Sequence, residues 1–145
     1  MSNERYAQGL VDTSVIIGLD QLDPLSLPVE FAVSAVTMAE LAAGPCATSD
    51  PDEKARRQDR LQRAEAMFDA IPVDVNVSRA YGRVYAAVAS LGRKPRGRRA
   101  FDMLIAATAL SEELPLFTVN PDDFSGLTTL MTVVPVAWLP RASDS

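Results

Sequence analysis

Four places in this chain hold acidic or amide side chains where the surrounding sequence gives them little structural reason to be. Asp12 ends the run Leu10-Val11, and Glu40 follows Thr37-Met38-Ala39. Asp102 opens the apolar run Met103-Leu104-Ile105-Ala106-Ala107, and Asn120, Asp122 and Asp123 surround Pro121. A carboxylate beside or inside an apolar run loses hydration and needs a partner, either a base or a cation. These segments hold several acids and no matching buried bases, so the expected partner is a divalent metal ion and the expected chemistry is metal-assisted reaction at phosphate. The chain contains no histidine. That removes Ser-His-Asp and Cys-His nucleophile systems, histidine general bases and most transition-metal sites. An all-oxygen donor set favours Mg²⁺ or Mn²⁺, with Ca²⁺ behind them.

Each position also has a bland reading. Asp12, followed by Thr13-Ser14, is a good helix cap, and the two readings of it stand level. Thr37-x-x-Glu40 matches a capping box, which alone is the better account of Glu40. Asp102 lies one turn after Arg98 and Arg99 and could pair with either. A turn at Pro121 favours Asn and Asp in any case. Asp102 is the most specific of the four, because its own helix offers it few polar neighbours.

The elements that must position these residues follow from hydrophobic periodicity. Gly9-Leu10-Val11 reads as a buried first strand, with a helix from Thr13 or Ser14 through Leu19. Residues 31–36 read as a second strand, followed by a helix that starts at Thr37 and ends by Gly44-Pro45. A long helix is expected over 53–70, with Leu61, Ala64, Phe68 and Ile71 on one face. A short strand is expected at Val73 and Val75. Ser78 then caps a helix with apolar positions Tyr81, Val84, Tyr85, Val88 and Leu91. A basic loop over 92–99 leads into a helix over 100–110 that is apolar nearly all round and so central. Strands are expected over 116–119 and 131–136, with a frayed tail from Pro140. Strands alternating with helices imply a mostly parallel sheet flanked by helices, with ligands beyond the carboxyl ends of the strands. Topology alone places Asp12, Glu40 and the turn from Asn120 to Asp123 on that edge. Asp102 must be brought there by the fold.

The chain of 145 residues is the size of one domain, with a core expected over about 9–139. No apolar run approaches the roughly 20 residues of a membrane span. The first residues lack the pattern of a secretory signal, and the single cysteine, Cys46, excludes an internal disulfide scaffold; both fit a cytoplasmic protein. The net charge of −5 argues against nucleic acid, but ten of the fourteen basic residues fall in two short segments. Arg93, Lys94, Arg96, Arg98 and Arg99 have few acids nearby and lead into the Asp102 helix, where they could hold a polyanion. Lys54, Arg56, Arg57, Arg60 and Arg63 read as a solvated helix face. Tyr81 and Tyr85 read as core, Trp138 as packing near the C-terminus, and Cys46 as incidental.

These motifs together resemble the PIN-domain ribonucleases, in particular the VapC toxins of bacterial toxin–antitoxin pairs. The resemblance rests on Asp12-Thr13-Ser14, on Thr37, Glu40, Leu41 and Gly44, on Asp102, Ile105, Ala106 and Ala107, and on Thr118, Asn120, Asp123 and Phe124. The motifs occur in the family's order from Leu10 to about Trp138. The resemblance implies one α/β domain of three layers and a Mg²⁺-dependent endoribonuclease, with Mn²⁺ able to substitute. Its substrate would be a structured RNA such as a tRNA or rRNA loop. Its partner would be a VapB-type antitoxin, and the toxin itself would be a homodimer. Asp12, Glu40, Asp102 and Asp123 would be catalytic. Asp12 and Asp102 would hold the metal, with Glu40 and either Asn120 or Asp123 completing the ligand set. Thr13, Ser14 and Thr118 would support the ligands, and the arginines and lysine of 93–99 would grip RNA phosphates. A catalytically silent RNA- or partner-binding domain of the same fold, and cleavage of DNA, are compatible with the same residues. A Mg²⁺-binding receiver module is disfavoured, because no acid adjoins Asp12 and no lysine follows Lys94.

Overall fold

The computed structural model describes residues 5–93 and 96–141. Strands β1 (Gln8–Val11), β2 (Glu30–Ala32), β3 (Leu116–Thr118) and β4 (Val133–Pro135) form one sheet in the order β2-β1-β3-β4. Every neighbouring pair is parallel, so each connection must cross over a face of the sheet. Those connections carry helices α1 (Thr13–Gly18), α2 (Ala35–Ala43), α3 (Pro51–Met67), α4 (Val75–Ala89) and α5 (Arg98–Ser111).

Successive strand residues point to opposite faces, and the core divides accordingly. Leu10 and Leu116 join the cluster made with Val77, Val84 and Val88 of α4 and with Met103 and Ile105 of α5. Their neighbours Val11 and Phe117 join the other cluster, with Val15 of α1, Leu41 of α2 and Ala64 of α3. This is the expected three-layer α/β arrangement. Residues Ile105–Ala109 of α5 are buried in an unbroken run, so this helix is covered on nearly all sides, as its composition predicts.

Several expected boundaries differ. Helix α2 starts at Ala35, capped by Ser34, whose hydroxyl accepts from the Val36 amide at 3.0 Å. Thr37 is therefore inside the helix, and the Thr37–Glu40 capping box does not form. No strand forms at Val73 and Val75. Ile71 alone pairs with Ser34, through amide-to-carbonyl bonds from Ala35 to Ile71 and from Ile71 to Val33, each 2.8 Å. Val75 instead opens α4, because the Asp74 carboxylate accepts from the Val77 amide at 2.9 Å and nucleates the helix ahead of Ser78. Helix α3 runs earlier than expected, starting behind the Asp50 cap. Helix α5 starts at Arg98, so Arg98 and Arg99 lie in its first turn and not in a loop. Tyr85, expected in the core, is 45% exposed.

Candidate active site

β1 ends at Val11, and Asp12 is the N-cap of α1. Its Oδ1 accepts from the Val15 amide at 3.2 Å and from the Ser14 hydroxyl at 2.5 Å. Ser14 Oγ in turn accepts from the Val119 amide at 3.3 Å, which ties α1 to the end of β3. The capping role of Asp12 is thus real and does not exclude another, because a carboxylate has more lone pairs than these bonds use. Only 4% of Asp12 is exposed. Burial pushes its carboxyl above the ordinary value, and the hydroxyls of Ser14 and Thr118 and the backbone amides of Val15 and Ser14 offset this only in part.

Glu40, half-buried on α2, accepts from the Thr13 hydroxyl at 2.6 Å. The same hydroxyl lies 3.0 Å from Thr37 Oγ1. Thr37 therefore belongs to the buried chain behind Glu40 and does not cap its helix. A hydroxyl has one proton, and the carboxylate is the stronger acceptor. Glu40 is thereby turned toward the start of α1 and away from its own helix terminus.

Asp102 sits in the second turn of α5. The alternative of an ion pair with Arg98 or Arg99 is not realised, and among the described residues Asp102 has no hydrogen bond. Its carboxyl is pushed up to about 6, first by burial and then by the charges of Asp123, Asp12 and Glu40, while Arg98 pulls it down. Three of the other acidic positions thus act on Asp102 through space, although they come from three separate elements. Asp123 is the strongest of these charges, placed in the one-turn helix Pro121–Phe124 that follows β3. Asn120 precedes that turn, is exposed, and donates its amide to Thr118 Oγ1 at 3.0 Å. Of the two alternatives for the fourth position, Asp123 is the one with a charge at the site.

Among the described residues, no three acidic or thiol side chains are already arranged to hold one metal ion. The donor chemistry nevertheless fits an oxygen-binding divalent cation, because carboxylates that repel one another this strongly gain most from a shared positive charge. Mg²⁺ is commonly held by one or two carboxylates, with water and substrate oxygens filling the remaining positions.

The basic residues divide unexpectedly. Arg93 donates to Ser125 Oγ at 2.8 Å, while Arg96 and Arg98 are exposed. Lys94 lies outside the described residues. On α3, Arg56 and Arg57 pair with Glu53, and Arg63 pairs with Asp59. The reading of a solvated face holds for those pairs but misses one feature. Arg57 and Arg60 line a cleft together with Glu40 and Arg98. Nothing local in the sequence marks this, since the segments involved are distant in the chain.

A PIN-domain family match spans residues 9–128, which includes all four acidic positions. The chain belongs to the PIN-domain family. Ribonuclease VapC5 of Mycobacterium tuberculosis is 37% identical over 124 residues, covering 83% of this chain and 88% of that protein. Ribonuclease VapC4 of the same organism is 34% identical, covering 79% and 88%. The crystal structure of VapBC-5, a member of the VapBC family of toxin–antitoxin systems from M. tuberculosis, superposes with a TM-score of 0.76 at 37% identity, covering 88% of this chain and 95% of that one. In this PIN domain Asp12 follows β1 and Asp123 follows β3, while Glu40 and Asp102 come from helices α2 and α5.

Proposed function

We propose that this chain, a VapC-type PIN-domain ribonuclease, is a Mg²⁺-dependent endoribonuclease toxin that hydrolyses phosphodiester bonds in a structured RNA such as a tRNA or rRNA loop. The observation that carries this reading is the convergence of Asp12, Glu40, Asp102 and Asp123 from separate elements, close enough for the charges of the other three to act on the partly buried Asp102. Asp12 and Asp102 hold the cation, and Mn²⁺ is able to replace Mg²⁺. Glu40 and Asp123 complete the acidic pocket. When bound, the cation supplies an activated water and offsets charge on the phosphate. Ser14 fixes the Asp12 carboxylate, and Thr13 fixes Glu40. Thr118 supports the same edge from β3. Arg93, Lys94, Arg96, Arg98 and Arg99 bind phosphates, which adds affinity without sequence choice. The relatives' toxin–antitoxin character supports a VapB-type antitoxin as partner; the toxin itself is proposed to be homodimeric and cytoplasmic. No helix among the described residues is long and apolar enough to cross a membrane.

The test is incubation of total bacterial RNA with purified protein in Mg²⁺, in Mn²⁺ and in EDTA, beside Asp12→Ala and Asp102→Ala. Discrete fragments that require metal and both aspartates are expected, and their ends identify the target. A folded, metal-binding protein that cuts nothing overturns the enzyme reading in favour of a binding role.

A further inference from the structure

Beside the acidic edge lies a cleft of about 350 Å³ whose lining includes Thr13, Ile17, Glu40, Arg57, Arg60 and Arg98. One wall is the acid side of the candidate active site. The other, built from α3 and the first turn of α5, carries Arg57, Arg60 and Arg98 with a single acid, Glu53, which is paired with Arg56 and Arg57. The three guanidinium groups are not equivalent. Arg57 is already committed, with Nε 2.7 Å from Glu53 and Nη1 donating to the Gly44 carbonyl at 3.0 Å. Arg60 lies one turn further along the same face of α3 and is half-buried. Among the described residues it has neither an ion pair nor a hydrogen bond. Every other arginine side chain of α3 has a carboxylate partner.

A partly desolvated guanidinium without an anion is costly unless an anion arrives. We propose that Arg60, supported by Arg57 and Arg98, is a binding residue for a phosphate of the RNA strand adjacent to the one being cut. The proposal rests on the nuclease reading above and adds a direction to it: the strand leaves the acidic edge across α2 and α3, not only across the loop before α5. Continuity of the strand favours RNA over an acidic peptide here. A phosphate tethered to one already held at the cation tolerates the nearby Glu40, whereas a free carboxylate has no such tether. Ile17, 48% exposed in the same cleft, offers apolar surface to a ribose or base.

The experiment measures steady-state cleavage of a defined RNA across a salt series for wild type, Arg60→Gln, Arg60→Lys and Arg79→Gln. Arg79 is an exposed arginine on α4 and serves as the charge-matched control. Arg60→Gln should raise KM about tenfold with kcat within about twofold, and flatten the salt dependence of KM. Arg60→Lys should recover much of the loss, and Arg79→Gln should match wild type. The Mg²⁺-induced rise in melting temperature should be the same in all four, showing the acidic edge intact. A second arm measures binding of fluorescein-labelled oligouridylate and of polyglutamate to Asp102→Asn with and without Arg60→Gln. Equal KM and salt slope for Arg60→Gln and Arg79→Gln overturns the proposal, as does a loss in kcat alone. Arg60-dependent binding of polyglutamate without oligouridylate assigns the cleft to an acidic peptide instead. A wild-type protein that cuts no RNA while Asp102→Asn binds oligouridylate through Arg60 would sink the nuclease reading and leave the phosphate contact standing.

Discussion

The start of α1 and the start of α5 each present one aspartate to the same edge of the sheet, and the two are held in opposite ways. Asp12 is fixed by its own neighbourhood. It caps a helix, takes the Ser14 hydroxyl and, through Ser14, is tied to β3. Asp102 has no such support; it lies partly buried, with the charges of Asp123, Asp12 and Glu40 raising its carboxyl and Arg98 opposing them. One residue is positioned by bonds it makes without a ligand. Burial raises both carboxyls, but only Asp102 is raised further by neighbouring charges. The difference separates an aspartate anchored by its own hydrogen bonds from one whose charge has no direct partner among the described residues.

The largest expected effect tests what the two share. Asp12→Asn and Asp102→Asn should each lower kcat/KM for RNA cleavage by about a thousandfold or more, measured as initial rates at saturating Mg²⁺. Equal retention of activity by either variant would remove that residue from the machinery.

Stability should then separate them. Asp12→Ala loses a helix cap and strands the Ser14 hydroxyl, so urea unfolding in EDTA should show a loss of about 1–2 kcal/mol. Asp102→Asn should have the opposite sign. The Asp102 carboxyl is raised from 3.8 to about 6 on folding, so its contribution favours the fold below about 3.8 and is lost as pH rises through about 6. Allowing for solvent screening of a half-buried group, removing the charge should stabilise the metal-free protein at pH 7.5 by about 1–2 kcal/mol. The gain should vanish near pH 4. A gain that is the same at both pH values would mean that charge is not its cause.

Mg²⁺ sharpens the same contrast. It should raise the melting temperature of the wild type at pH 7.5 by several degrees, by less at pH 5, and hardly at all in Asp102→Asn. The smallest effect expected is that of Thr13→Val, which releases Glu40. Cleavage should fall about tenfold with unchanged RNA affinity, and stability by about 1 kcal/mol, because Thr37 loses its buried neighbour. A change in KM and not in kcat would place Glu40 in substrate binding.

The individual errors occur where two local signals competed or where a distant contact decided. Thr37-x-x-Glu40 satisfies the capping pattern, but Ser34 lies three residues earlier and its hydroxyl reaches the helix first. Glu40 is then free to meet Thr13, 27 residues away in the chain. Val73 and Val75 have strand propensity, yet Asp74 between them is a better helix start than Ser78. The arginines of α3 look alike in sequence. Only the packing of α3 beside α2, with Arg98 across the cleft, separates Arg57 and Arg60 from their solvated neighbours.

The amino-acid sequence by itself determined the alternation of strands and helices, the central place of the helix expected over 100–110, the exclusion of histidine chemistry and the identity of the acids. Each of these depends on residue type and short-range spacing. Tertiary structure decided which acids share an environment, that Asp123 and not Asp122 brings charge to Asp102, and which arginines face them. Electrostatic coupling depends on distance through space and on burial, and neither is set by any window of adjacent residues.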